Sequence, residues 1–182
     1  MLFSRVGVEI GLQELVDALA PSDEPIRIHV VGGAAVILRV DRPALTADID
    51  TLRADATVLE AAERIARVHG WPAGWLNDAA KMWASHHDTD EDWEVRFSRG
   101  HATVLIARAP LLLAMKLQAG RGRRDAEDID LLAEACKVDS VEHARDIFDR
   151  YYPTEEIAPR ALRQIQERFG SGSAHDGDRR DG

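Results

Sequence analysis

Asp48 and Asp50 stand one residue apart around Ile49 and run into Thr51-Leu52. Residues i and i+2 of a strand point to one face, so a strand here sets two carboxylates side by side. They repel each other unless a cation lies between them. Hard oxygen ligands of this kind suit magnesium, which takes one or two protein carboxylates plus substrate phosphates. Upstream, Gly32-Gly33 interrupts another apolar run. Where a strand turns into a helix, the first N–H groups are open to a phosphate, and glycine lets it approach the backbone. A phosphate cradle followed by a metal-binding carboxylate pair is equipment for phosphoryl or nucleotidyl transfer. Each feature alone is common, since glycine pairs mark turns and Asp-x-Asp decorates surface loops. Their order, and the strand character of Ile49 and Leu52, favour the joint reading.

The elements that would position these residues follow from hydrophobic periodicity. Val8, Leu12, Leu15, Val16 and Leu19 share one helical face. Ile26 to Val31 is rich in β-branched residues and reads as a buried strand; a helix follows Gly32-Gly33. Ile49 to Leu52 reads as a second strand, and Thr57 to Val68 as a helix stopped by Gly70 and Pro72. A short helix is expected to start near Asn77. The acidic loop Asp88 to Asp92 then leads to two strands, "WEVRF" and "ATVLIA", joined by a turn at Gly100. From Pro110 the pattern is helical: Leu111 to Ala119, Ala126 to Cys136, Val141 to Tyr151 and Ile157 to Phe169. The expectation is an α+β fold with a small mixed sheet. Residues 1–108 form its core, 109–169 a helical region packed on that core, and 170–182 a disordered polar tail.

Composition narrows the function classes. The chain has 182 residues, 45% hydrophobic and 30% charged, an ordinary globular balance. No apolar run nears the roughly 20 residues of a membrane helix, and the N-terminus lacks the apolar centre of a signal peptide. One cysteine, Cys136, excludes an internal disulfide. These features point to a cytoplasmic protein with no membrane partner. A net charge of -9 argues against a general nucleic-acid-binding module.

The segment "GGAAVILRVDRPALTADID" resembles the signature of the polymerase-β-like nucleotidyltransferase superfamily, and within it the AbiEii-type toxin branch and its uncharacterised bacterial relatives. Arg42 and Thr46 occupy places where that branch carries an Arg and a Ser or Thr. The interval from Gly33 to Asp48 is slightly long, as if a short insertion lay around Asp41 to Leu45. Further on, "LLLAMKLQAGRGRRDAEDIDLL" is similar to the branch's Lys-Leu, arginine turn and Asp-x-x-Asp helix, matched by Lys116, Arg124, Asp125 and Asp128. The likeness spans Ile26 to Leu132. It implies transfer of a nucleotide from a nucleoside triphosphate to an acceptor hydroxyl, with Mg2+ or Mn2+ as cofactor. Asp48, Asp50 and a third carboxylate, Glu94 in "WEVRF", would be the catalytic and metal-holding groups. Gly32, Gly33, Thr46, Lys116, Arg124 and Asp125 would bind the nucleotide. The acceptor would be RNA (a tRNA end) or a protein, and the setting a toxin-antitoxin or phage-defence pair with a cognate antitoxin.

Blander readings stand beside these. Glu94 could be the exposed side of a hairpin, in which case the chain is a degenerate nucleotidyltransferase fold that binds a nucleotide or a partner without chemistry. Lys116 sits in an apolar helix and could snorkel outward, reach a phosphate or pair with Asp125. Asp125 and Asp128 could complement their helix dipole. If Glu94 shares the face of Asp48 and Asp50, Arg96 faces that side too, and Trp93, Val95 and Phe97 face the other. Adjacent His86 and His87 do not make a zinc site. Trp71, Trp75, Trp83 and Trp93 are expected to form a core under the acidic loop.

Overall fold

The computed structural model describes residues 1–40, 44–121 and 123–170, with Arg123 and Arg124 described as backbone only. The expected α+β architecture is present: a five-stranded mixed sheet with seven α-helices among the described residues. Helix α1 (Arg5–Leu19) is opened by Ser4, whose hydroxyl accepts from the Gly7 N–H, and buries Val8, Leu12, Leu15, Val16 and Leu19. Strand β1 (Ile26–Val31) passes directly into α2 (Gly32–Arg39). Strand β2 (Ile49–Thr51) precedes α3 (Ala56–His69), which is capped by the Asp55 carboxylate and closed by Gly70.

The short helix expected near Asn77 is a correction. Leu76–Asn77 forms a two-residue strand, β3, beside β2, and a 3-10 turn over Ala79–Trp83 follows. Pairing with β2 holds Leu76 and Asn77 extended. Asp78 gives the turn no side-chain cap, and no α-helix propagates. Strands β4 (Trp93–Arg99) and β5 (Ala102–Ala107) make the hairpin across Gly100. Helices α4 (Ala109–Ala119), α5 (Arg123–Ala135), α6 (Val141–Tyr151) and α7 (Pro159–Phe169) complete the described residues.

The strand order is β3-β2-β1-β5-β4. β1 is central, antiparallel to β2 and parallel to β5, which fits the burial of every residue in it except Arg27. Helix α4 buries every residue from Leu111 to Leu117 and belongs to the same continuous core as the sheet. A helix apolar on all sides lies inside the protein rather than on it. No described helix is long and apolar enough to cross a membrane.

Of the four tryptophans expected under the acidic loop, buried Trp93 is there, its indole N–H donating to Asp88 at 2.9 Å, while Trp71 and Trp75 pack elsewhere. Trp71 packs edge-on against both Phe3 and Trp75, while Trp93 meets His29 on β1. Most of the acidic loop is exposed, and only its last residue is buried. Asp92 is 4% exposed, accepts from the Tyr151 hydroxyl at 2.6 Å and from Thr89 N–H at 2.8 Å, and pairs with Arg150.

Candidate active site

The corner where β1 becomes α2 is built by subtraction of side chains. Gly32 has a φ of +67°, and a Cβ there would lie 2.3 Å from Asp50 Oδ2. A Cβ on Gly33 would lie 3.0 Å from Thr46 Oγ1. The two glycines therefore make room for Asp50 and Thr46 themselves. The Asp50 carboxylate rests on the first turn of α2, where helix N–H groups lack helical acceptors and the dipole favours negative charge. Val31 pairs with Asp50 across β1 and β2, which fixes this approach.

Asp48 lies just before β2 and is half-buried, as is Asp50. The Thr46 hydroxyl donates to the Asp48 carbonyl oxygen at 3.0 Å. Thr46 is also pinned to the N-terminus, exchanging backbone bonds with Phe3 at 2.7 and 2.9 Å. Phe3, Thr46, Gly33, Gly32 and Asp50 thus form one braced unit. Arg42 lies outside the described residues, and so does the side chain of Arg124.

Lys116 lines a cleft with Gly32, Ala80, Trp83 and Arg121. Its ammonium is 2.7 Å from Asp125 Oδ1 and 2.8 Å from Asp128 Oδ2, and all three residues are buried. Asp125 also accepts from the Arg121 N–H at 2.9 Å, which ties down the turn between α4 and α5. Burial pushes the Asp125 carboxyl up, but the Lys116 hydrogen bond and charge, with the Arg121 N–H, outweigh it and hold it below 3.8. Lys116 does not snorkel; of the readings open for it, the structure shows the salt bridge.

Glu94 does not join Asp50. The register aligns Glu94 with Ile106, Ile106 with Val30, and Val30 with Thr51. Cross-strand partners share a face, so Glu94 lies on the face of Thr51, opposite to that of Asp50. β2 and β4 are also separated by two strands, which is on the order of 14 Å at ordinary strand spacing. Ligands of one magnesium lie about 2 Å from it, so Glu94 cannot complete a cluster with Asp50. Its carboxylate instead meets Arg39 Nη1 at 2.6 Å and Arg108 at 3.6 Å. The Arg39 hydrogen bond is the main reason its carboxyl is held below the usual range. Among the described residues, no group of three or more Asp, Glu, His or Cys is placed to hold a metal.

The expected alternation along β4 fails for a local reason. A bulge between Val95 and Phe97 makes Arg96 the extra residue. Phe97 then pairs with Val104 and joins Glu94's face, while Arg96 reaches Glu9 of α1. Two contributors escaped the sequence reading. Arg39 bonds the Ile106 and Ala107 carbonyls as well as Glu94, with no signal beyond its place at a helix end. Buried Asp92 had one, since Thr89-x-x-Asp92 has the spacing of a capping box and forms one.

Residues 10–162 match the family described as "Nucleotidyltransferase of unknown function (DUF6036)". No curated protein and no solved structure matches the chain. The family match supports the nucleotidyltransferase superfamily and names no toxin branch. Since it spans most of the 182 residues, the chain belongs to this nucleotidyltransferase family.

Proposed function

We propose that this member of the family binds a nucleoside triphosphate with magnesium at the Gly32 corner and transfers its nucleotide to an acceptor hydroxyl. The observation that carries the reading is the seating of the Asp50 carboxylate against Gly32, at a helix N-terminus, with Asp48 two residues away. Asp48 and Asp50 are hard oxygen donors, and two carboxylates plus phosphates are a usual magnesium set. The residues fit one such ion, or manganese, and Asp48 and Asp50 would hold it. When bound, magnesium supplies positive charge to the phosphate oxygens and the leaving pyrophosphate.

The chain's own groups do the rest. The N–H groups of the first turn of α2 orient the phosphates. Thr46 holds the Asp48 backbone in place, and the Asp125 clamp fixes the α4–α5 turn beside the cleft. Glu94 takes no part in metal holding or proton transfer here; it secures Arg39 at the far end of α2. Nucleoside triphosphates and magnesium are both at hand in the cytoplasm, where we place the protein. RNA, such as a tRNA end, or a protein hydroxyl as acceptor, and a toxin-type role beside a cognate antitoxin, follow from the resemblance of the Gly-Gly, Asp-x-Asp and Lys-to-Asp segments.

One observation favours the alternative of binding without catalysis: Glu94, the expected third carboxylate, is engaged by Arg39 instead. Incubation with each labelled triphosphate, magnesium and total RNA or cell lysate separates the two. Covalent label on an acceptor, lost in Asp50→Asn, supports transfer. Tight triphosphate binding with no label on any acceptor supports the binding protein.

A further inference from the structure

The cleft beside the Gly32 corner is nearly closed. Its free space is about 20 Å³, room for roughly one water molecule. A phosphate group is larger than that, so an anion seated at Gly32 cannot pass through the cleft to Arg121, which lines its other side. Two walls shut the cleft, and they differ. Leu112, Met115 and Lys116 belong to α4, which is buried from Leu111 to Leu117 and tied to α5 by the Lys116 ion pairs. Ala80 and Trp83 belong to the 3-10 turn Ala79–Trp83, which is lightly held. Ala80 is its only buried residue; Ala79, Lys81 and Met82 are exposed, and Trp83 is half-buried. The flanks of the turn are fixed. Upstream, the Ile49 N–H donates to the Trp75 carbonyl at 2.6 Å and the Thr51 hydroxyl to the Asn77 carbonyl at 3.0 Å. Downstream, the buried Ser85 hydroxyl donates to the Tyr151 carbonyl at 2.9 Å. Between these anchors, the Tyr152 hydroxyl at the end of α6 donates to the Trp83 carbonyl.

We propose that the turn Ala79–Trp83 is a lid, latched by the Tyr152 hydroxyl on the Trp83 carbonyl, that swings off the Gly32 corner to admit the phosphates of the nucleotide and let them reach Arg121. The inference rests on the phosphate reading of that corner. A segment with few buried contacts between fixed ends opens at small cost, whereas α4 can move only by breaking the core. The latch holds part of the population shut, and apparent affinity falls by the fraction that is open. Loosening the latch therefore strengthens binding, the reverse of what loss of an ordinary ligand contact does.

The test pairs hydrogen exchange over residues 78–84 with calorimetric titration of magnesium tripolyphosphate and magnesium–ATP, on the full chain and on Tyr152→Phe. Phenylalanine removes the hydroxyl and keeps the ring that stacks on Phe148. The variant should exchange about fivefold faster in the turn, the worth of one hydrogen bond, with the flanking anchors unchanged. It should also bind both ligands about fivefold more tightly, because more of it is open. If Tyr152→Phe does not fold, Ala80→Gly removes the buried side chain of the turn and should act in the same direction. Unchanged or weaker binding in these variants, with the wild type still binding tripolyphosphate, overturns the lid and leaves the phosphate corner standing. Unchanged exchange in the turn overturns the lid as well. Binding of neither ligand by wild type or variant overturns both.

Discussion

Helix α2 carries a carboxylate at each end, and the two are treated in opposite ways. At its N-terminus, Asp50 lies against Gly32, where the chain has removed side chains to let it in. At its C-terminus, Glu94 meets Arg39 and Arg108, where the chain has added guanidiniums. The first arrangement sets an acid at a helix N-terminus beside a cleft. The second ties the end of a helix to the C-terminal carbonyls of β5 and to the edge strand β4. Both acids sit in apolar strand segments and read alike in sequence. What separates them is the strand order and the residues that face them.

The comparison can be broken hardest on the cleft side. Lys116→Met leaves Asp125 and Asp128 buried without their shared ammonium, and removal of one partner from a buried ion pair costs about 3–5 kcal/mol. Urea unfolding should show a loss of that order, a large share of a domain's stability. At the other end, Arg39→Met leaves a carboxylate whose side chain is 45% exposed and can be hydrated. Its loss should be about 1–2 kcal/mol, mostly from the bonds to the Ile106 and Ala107 carbonyls.

Gly32→Ala sharpens the claim of built-in space. It combines a strained positive φ with a Cβ 2.3 Å from Asp50 Oδ2, and should cost roughly 2–4 kcal/mol. Gly70→Ala is the control. Its φ is +64°, but nothing lies within 4 Å of the new Cβ, so only about 1–2 kcal/mol of backbone strain should appear. Equal losses in the two variants would mean that Asp50 does not pack on this corner.

The smallest effect is in acid. Asp125 is held below 3.8 when folded, so its contribution is complete above that value and is lost as pH falls through the folded value. Glu94 has the same sign from 4.5 downward, weakened by its exposure. In urea midpoints taken from pH 6 to pH 3, Asp125→Asn should flatten the acid limb more than Glu94→Gln does. A steeper limb in either variant would reverse the sign argued here.

Much of this was legible in the sequence. The run Ile26 to Val31 is a strand with those bounds because Ile26, Ile28, Val30 and Val31 are β-branched and suit a central strand, and α6 keeps the limits its periodicity set. Lys116 stood out as a charge in an apolar helix, and Asp125 and Asp128, three apart on α5, were in place to meet it. The failures share a cause. Spacing along the chain does not give the order of strands across a sheet, so nothing in "WEVRF" places it at the edge, two strands removed from Asp50. One bulged residue, Arg96, also undoes the alternation that assigned Phe97 its face.

The central claim is that Asp50, with Asp48, makes the nucleotide–metal site and that Glu94 does not. It is tested most directly by titrating magnesium–ATP into wild type, Asp50→Asn and Glu94→Gln, with Asp48→Asn as a second probe of the pair. Glu94→Gln should bind like wild type, and Asp50→Asn should lose affinity by about a hundredfold, the scale of a lost charged contact. Full affinity in Asp50→Asn together with loss in Glu94→Gln would contradict the account and move the site to the other end of α2.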